Sequence, residues 1–340
     1  MSRLHRVLVI GVGSIGERHV RCFQQTGRAE VVICETDPER AERVKRQYAL
    51  PRTHASIPDA LQSGYDLAVI CTPAHLHVPQ ATEIVQAGLH LLIEKPLSTS
   101  EEGVAELMAE VERQRRVVGV AYVNRVHPVL SDMKEALDSG RFGEMVQLVA
   151  VSGQHFPTYR PAYREIYYRE HATGGGAIQD ALTHMVNAGE WLAGPVDRLS
   201  ADAAHQVLPG VEVEDTVHVL ARHGSVLACY ALNQHQAPNE LSMTVVGSRG
   251  TVRYEAHRGR WMWMTEPGAH WQTGLEVNVE RDEVFVRQAA LMLDAVEGRA
   301  VPRCGLDAAL QTLRVNLAIL AACRSGEWQE VRGRGAGGGQ

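Results

Sequence analysis

The 340-residue sequence predicts an α/β fold, an N-terminal doubly wound parallel sheet joined to a C-terminal α+β domain with a large, mostly antiparallel sheet. Three observations predict it. Short β-branched apolar runs alternate with amphipathic helical stretches over roughly the first 120 residues, the pattern of parallel strands linked by helical crossovers. A glycine-rich turn, Gly11-Val12-Gly13-Ser14-Ile15-Gly16, follows the first apolar run and a helical pattern opens at once. From Asn124 onward, after one further helix, apolar runs succeed one another without helices between them, which reads as antiparallel sheet.

In chain order, the first part offers strands at 6–10, 30–35, 66–71, 90–94 and 117–123. Helices are expected at 15–26 and 38–48, the second with Asp37 as N-cap and Pro38 at its first position. Another is expected to begin at Ser98, where Ser98-x-x-Glu101 matches a capping box. The second part offers a helix at 128–139, strands at 145–151, 216–221, 226–232, 241–246 and 251–254, and helices at 177–192, 284–297 and 306–324. The expected organisation is a nucleotide-binding domain over 1–123, a catalytic and oligomerisation domain over 124–330, and a flexible glycine-rich tail over 331–340.

Composition narrows the function. Hydrophobic residues at 45% and charged residues at 22% suit a globular chain with a sizeable core. A net charge of -6 offers no basic surplus for a phosphate backbone, so nucleic acid is not an expected partner. The six cysteines are scattered, with no Cys-x-x-Cys pair, so neither a zinc site nor a disulfide framework is expected. The apolar run before the first glycines is too short for a signal peptide, and no later stretch is expected to span a bilayer. A cytoplasmic protein with reduced thiols and no membrane partner is the expectation.

The glycine turn carries the first chemical signal. Between a strand and a helix, Gly11 permits the tight turn, Gly13 lets backbone approach a pyrophosphate, and Gly16 lets helix pack on strand. The helix N-terminus then presents N–H groups and partial positive charge to phosphates. This is the fingerprint of a Rossmann dinucleotide site. Glu35 stands 19 residues after Gly16 (35 minus 16), where an acidic side chain accepts from the adenosine ribose hydroxyls and repels a 2′-phosphate. NAD is therefore the expected cofactor, with NADP as the alternative should Arg40 swing in to hold a phosphate.

Further motifs follow in register: Cys71-Thr72-Pro73-Ala74-His75-Leu76-His77 after the third main strand run, Glu94-Lys95-Pro96 after the next, Asn124-Arg125 with Pro128, Gly174-Gly175-Gly176-Ala177-Ile178-Gln179-Asp180 with His184, and a Val246-Gly247-Ser248-Arg249-Gly250-Thr251 turn. In order and spacing the chain resembles the glucose-fructose oxidoreductase, inositol dehydrogenase and MocA (Gfo/Idh/MocA) family over nearly its whole length. The resemblance implies that Lys95, Asp180 and His184 are the catalytic groups, facing one another across the nicotinamide. It implies cofactor contacts at Gly11, Gly13, Ser14, Ile15, Gly16, Glu35, Cys71, Thr72, Pro73, His77, Glu94, Lys95 and Arg169, the last from an aromatic–Arg pair matched by Tyr168-Arg169. Substrate contacts are expected at Lys95, Asn124, Arg125, Tyr163, Asp180 and His184, with 154–168 as the substrate-facing loop. One departure is Leu182, where many members carry glycine, which touches local packing.

Residue chemistry agrees in part. Asp180 and His184, at i and i+4, share one face of a helix. Hydride transfer from a secondary alcohol needs a base for the hydroxyl proton, and histidine has the pKa for it near neutrality. Asp180 would orient the imidazole or hold a neighbouring hydroxyl, and Lys95 would stabilise developing alkoxide charge. The triple glycine would let backbone come close to cofactor or substrate. His75 and His77 have no evident third partner for a metal.

The sequence therefore predicts an NAD(P)-dependent dehydrogenase of a cyclic polyol, sugar or sugar derivative, working as a homodimer or homotetramer. Two alternatives stand beside it: a redox-neutral, NAD-dependent glycoside-cleaving enzyme, and a non-catalytic NAD- or sugar-sensing regulator.

Overall fold

The computed structural model describes residues 3–331, so the tail expected at 331–340 lies outside the described residues except for Val331. The chain divides into two compact units. One comprises the chain up to Val126 together with Val279–Leu310, and the other comprises His127–Asn278 together with the chain from Gln311. A single cut after residue 123 does not describe this division, because Asn124 and Arg125 stay with the first unit and the chain returns to it at Val279.

The first unit is built on six parallel strands in the order β3-β2-β1-β4-β5-β6. They are β1 (His5–Ile10), β2 (Ala29–Cys34), β3 (Thr53–His54), β4 (Leu67–Ile70), β5 (His90–Ile93) and β6 (Val118–Val120). Strands covered on both faces need continuous apolar runs, and Val7, Leu8, Val9, Leu67, Ala68, Val69 and Ile70 are each fully buried. The crossovers are α1 (Ser14–Gln25), α2 (Pro38–Gln47), α3 (Ile57–Leu61), α4 (His77–Gln86) and α5 (Val104–Gln114). Asp37 caps α2 as expected, accepting from the Glu39 and Arg40 amides at 3.0 and 3.1 Å. The Ser98 capping box does not start a helix. Ser98 is 4% exposed and its hydroxyl accepts from the Ser100 amide, while α5 begins at Val104 after Gly103 at φ +73.

Strand order reverses between β1 and β4, and open α/β sheets bind ligands outside the strand ends at such a switch point. Gly11 and Cys71, the residues that follow those two strands, meet there: a Cβ on Gly11 would lie 3.2 Å from the Cys71 carbonyl oxygen.

In the second unit α6 (Pro128–Asp138) precedes β7 (Met145–His155) and the short α7 (Phe156–Tyr159). A π-helical segment, Ile178–Leu182, then runs directly into α8 (Thr183–Ala193). The sheet has nine strands in the order β14-β13-β12-β11-β7-β10-β9-β8-β15. The remaining strands are β8 (Arg198–Ala204), β9 (Thr216–His223), β10 (Val226–Asn233), β11 (His235–Gly247), β12 (Gly250–Glu255), β13 (Arg260–Met264), β14 (Gln272–Glu276) and β15 (Gln329–Glu330). Neighbours pair antiparallel except β7 with β10. One face carries the core, including Leu148, Ala150, Val217, Val219, Met243 and Val245 with Leu182, Met185 and Val186 from the helix. The opposite face leaves Val151, Leu220 and Leu227 exposed.

Two helices, α9 (Arg281–Val296) and α10 (Leu306–Ser325), precede β15. Against the sequence expectation, α10 is long and apolar enough to cross a membrane by length and composition. Half of the qualifying stretch is buried, and Val315, Ile319 and Ala322 belong to the core of the second unit, which accounts for its hydropathy.

Candidate functional site

In the first unit, β1 delivers Gly11 at φ +77, a conformation that L side chains rarely adopt. A Cβ on Gly16 would lie 2.0 Å from the Gly11 carbonyl oxygen, so α1 can close on the loop only with glycine there. A Cβ on Gly13 would meet nothing within 4 Å, and no side chain caps α1 at Gly13. The N–H groups of Ser14, Ile15 and Gly16 thus open the helix beside free approach, the arrangement that a pyrophosphate requires. The residues present fit a dinucleotide.

Glu35 follows β2, 7% exposed. Its Oε2 accepts from the Val12 amide at 2.9 Å and its Oε1 from the Asp37 amide at 3.0 Å, and Arg40 lies 3.5 Å from Oε2. The Thr36 hydroxyl also donates to Oε1 at 3.4 Å, so the carboxylate braces the glycine loop as well as standing where a ribose hydroxyl would come.

The Cys71-Thr72-Pro73 turn follows β4. Burial pushes the Cys71 thiol well above its usual range, so it stays protonated. Thr72 donates to Gln80 at 2.7 Å. His77, expected to touch the cofactor, is 1% exposed and lies between two backbone carbonyls, Nδ1 2.9 Å from Pro96 O and Nε2 2.8 Å from Thr72 O. Burial pushes its imidazole below the usual range, against the pull of the two carbonyls, and the one N–H of the neutral ring donates to a single one of these turns at a time.

Glu94 is 6% exposed, with Oε1 2.7 Å from His19 Nε2 and Oε2 accepting from the Lys95 amide at 3.1 Å. Burial pushes this carboxyl up, but the His19 hydrogen bond and the neighbouring positive charges outweigh it and hold it below its usual range. Both oxygens serve the protein's own groups, so Glu94 braces the turn that carries Lys95. Lys95 itself is half-buried and precedes a cis Pro96. Asn124 and Arg125 sit on a short 3₁₀ turn, Val123–Val126, with Arg125 8% exposed and its Nη1 on Arg303 O at 3.3 Å.

In the second unit two glycines of the triplet are required by the protein's own packing. A Cβ on Gly175 would lie 2.2 Å from the Tyr168 carbonyl oxygen, and one on Gly176, at φ +85, 2.6 Å from Glu214 Oε1. The glycines make room for the protein's own loop and for Glu214. That carboxylate accepts from the Ile178 amide at 2.9 Å and from His171 Nε2 at 2.5 Å, capping the start of the helix from a distance.

Asp180 lies on the π segment, 6% exposed. The Thr183 amide reaches back five residues to Ile178 O, so the α-helical geometry read from the Asp180–His184 spacing does not hold there; π turns inside helices recur at functional sites. His184 is half-buried in the first turn of α8, and Leu182 is fully buried in the core. The hydroxyl of Tyr167 donates to Asp180 Oδ1 at 2.7 Å.

The 154–168 loop folds around its own apolar cluster of Phe156, Tyr163, Tyr168, Leu208, Val211 and Val213. Tyr163, expected to face substrate, is 1% exposed and donates to Pro209 O at 2.7 Å. Tyr168 is equally buried and donates to Gln234 Oε1. Arg169 turns outward, its side chain 58% exposed and paired with Glu170 at 3.1 Å.

Comparison with known proteins fits this picture. An oxidoreductase family described as an NAD-binding Rossmann fold (Gfo/Idh/MocA) matches residues 5–122, and the Gfo/Idh/MocA C-terminal domain matches 130–253. The chain belongs to the Gfo/Idh/MocA oxidoreductase family. Among curated members, inositol 2-dehydrogenase 1 of Saccharopolyspora erythraea is 35% identical over 146 residues, 42% of this chain and 43% of that protein. The uncharacterized oxidoreductase YdgJ of Escherichia coli is 29% identical over 266 residues, 75% of this chain and 72% of that one. The chain spans about half the length of several curated Gfo/Idh/MocA relatives it matches, 43% to 57%. Among solved members, the WlbA dehydrogenase of Bordetella pertussis in complex with NADH and UDP-GlcNAcA superimposes with TM-score 0.85 at 25% identity, covering 97% of this chain and 98% of that one. Levoglucosan dehydrogenase in complex with NADH and levoglucosan does so with TM-score 0.87 at 19% identity, over 97% and 100%.

For this Gfo/Idh/MocA chain, sequence reasoning missed four residues: His19, Tyr167, His171 and Glu214. His19 was within reach of it, since it follows Gly16 by three and so shares the buried face of α1 with Gly16, Val20 and Phe23.

Proposed function

We propose that this chain is an NAD-dependent dehydrogenase or reductase, working in the cytoplasm as a homo-oligomer on a secondary alcohol or ketone of a cyclic polyol, sugar or sugar derivative. The observation that carries the reading is the N-terminus of α1, free of a side-chain cap and open at Gly13. The amides of Gly13, Ser14 and Ile15 would hold the pyrophosphate, and Glu35 would take the adenosine ribose hydroxyls and disfavour a 2′-phosphate. When bound, the nicotinamide supplies the hydride acceptor or donor.

The chain's own residues supply the rest. Lys95 donates to the reacting oxygen and stabilises alkoxide charge. His184 takes the hydroxyl proton in oxidation and returns it in reduction. Asp180 orients the imidazole or a neighbouring substrate hydroxyl, and Tyr167 fixes one of its oxygens. A site made of such groups selects hydroxylated rings, because an analogue without the hydroxyl leaves buried polar groups unpaired. The relatives named for inositol, levoglucosan and a nucleotide-sugar acid support the same substrate class.

The test is NADH formation from NAD by purified protein across inositols, aldoses, anhydrosugars and uronic acids, with NADP in parallel and His184→Ala as control. A signal that needs His184 supports the reading. Glycoside turnover without NADH accumulation would replace it by redox-neutral cleavage. Tight NADH binding with no turnover of any kind would replace it by a sensor.

A further inference from the structure

His19 and Glu94 form a buried pair that cofactor binding does not explain. The side chains are 1% and 8% exposed, Nε2 to Oε1 is 2.7 Å, and the dinucleotide fingerprint itself calls for no histidine in the second turn of its helix. His19 is held in place: Phe285 stands edge-on to its ring at 5.6 Å, Phe23 lies at 6.3 Å, and Gly16 and Val20 on either side bury the same face of α1. Glu94 is held too, since the backbone amide at the end of β5 donates to Ile70 O at 2.9 Å. Burying a carboxylate is costly unless it is paired and hydrogen-bonded, so the pair persists only if it supplies something else. What it supplies is on the other oxygen. Oε2 accepts from the Lys95 amide at 3.1 Å, one peptide from the side chain that the proposed chemistry uses.

We propose that His19 and Glu94 are positioning residues that fix Lys95 relative to the glycine loop: the imidazole on α1 holds the carboxylate, and the carboxylate holds the backbone of the lysine. The chain of contacts runs within one unit, from the helix whose N-terminus faces the pyrophosphate to the turn that carries the amine. This inference rests on Lys95 being the group that meets the reacting oxygen.

The sequence makes a direct test practical, because the chain has three lysines, Lys45, Lys95 and Lys134. Acylation of the full chain by an amine-reactive ester, read by mass spectrometry, reports Lys95 against two internal controls without any substrate. His19→Phe keeps an aromatic body beside Phe23 and Phe285 and removes the donor, whereas His19→Gln restores a donor. In His19→Phe the labelling rate of Lys95 relative to Lys45 should change by about threefold or more. The value of kcat should fall about tenfold, with KM and the NADH Kd within about threefold, and His19→Gln should move each back toward wild type. Wild-type labelling of Lys95 in folded His19→Phe protein overturns the proposal, and so does a His19→Gln protein that behaves as His19→Phe does. Should His19→Phe fail to fold, Glu94→Gln, which keeps the shape without the charge, is judged by the same Lys95 labelling criterion. Altered labelling in a protein that neither binds NADH nor turns over any alcohol would sink the dehydrogenase reading while still supporting the pair.

Discussion

Tyr167 donates its hydroxyl hydrogen to Oδ1 of Asp180 at 2.7 Å, and the two reach each other because the loop before the triple glycine is pinned at both ends. Thr173 Oγ donates to Tyr167 O at 2.7 Å on one side, and Gly175 leaves the space that this carbonyl needs on the other. Tyr167→Phe should therefore lower kcat about tenfold while costing only about 1 kcal/mol of stability, the worth of one hydrogen bond. Tyr163→Phe should do the reverse, because that hydroxyl serves Pro209 O inside the loop's own core. Steady-state kinetics and thermal unfolding of the two variants separate the roles, and equal kinetic losses would contradict the assignment.

The loop glycines should separate in the same way. Gly13→Ala adds a methyl where the protein has nothing within 4 Å, so the melting temperature should hold while NADH affinity drops about tenfold or more. Gly16→Ala drives a methyl into the Gly11 carbonyl at 2.0 Å and should cost about 1–3 kcal/mol of stability as well as cofactor binding. NADH fluorescence titration beside calorimetry reads both.

Glu35 braces the loop through Val12 and would discriminate against a 2′-phosphate, and two substitutions pull these roles apart. Glu35→Gln keeps an acceptor for the Val12 amide and should narrow the NAD preference over NADP with little loss of stability. Glu35→Ala should lose about 1–3 kcal/mol through the unpaired buried amides. The ratio of NADH to NADPH affinity and the unfolding curves are the measurements.

The His171–Glu214 pair predicts a pH dependence of stability. The Glu214 hydrogen bond raises the His171 imidazole above 6.5, so the protonated form is favoured in the folded state. Its contribution is therefore complete below 6.5 and fades as pH rises through the folded value. His171 is half-exposed, so the effect is modest. Melting temperatures of wild type and His171→Gln measured across this range should converge on the alkaline side; a constant gap would argue against the pairing.

Across β9, β10 and β7, Leu220, Cys229 and Val149 lie in one row on the face away from the core, beside Val151 and Leu227. Leu220→Glu with Leu227→Glu should shift the protein to a smaller species in sedimentation, if a second copy covers this face. An unchanged sedimentation coefficient would place the interface elsewhere.

The parallel sheet was legible because strands buried on both faces must be apolar throughout, and the glycine loop because its spacing is dictated by sterics. β8 and β13 were not. Ala, Ser and Asp give β8 little strand propensity, and its pairing with β9 across a long connection supplies what the local sequence lacks. At the site, Lys95, Asp180 and His184 could be proposed from motif and chemistry, but their supports could not. Glu214 reaches Ile178 from 36 residues away and His19 reaches Glu94 from 75, and separations of that kind leave no periodic trace in a single sequence. The Tyr-rich loop misled for a related reason: side-chain type shows that a tyrosine can bind sugar, not which of Tyr163, Tyr167 and Tyr168 turns outward.

The return of α9 to the first unit carries a consequence for the nascent chain. Ala289, Met292 and Leu293 fill the same core as Val7, Val9 and Phe23, and Asp282 meets both Arg18 and Arg21 on α1. A ribosome that has translated the whole parallel sheet has therefore not yet produced the material that closes its core. Folding of this unit cannot finish in simple N-to-C order: its helix α1 must wait, partly uncovered, while more than 150 residues of the other unit are made between Val126 and Val279.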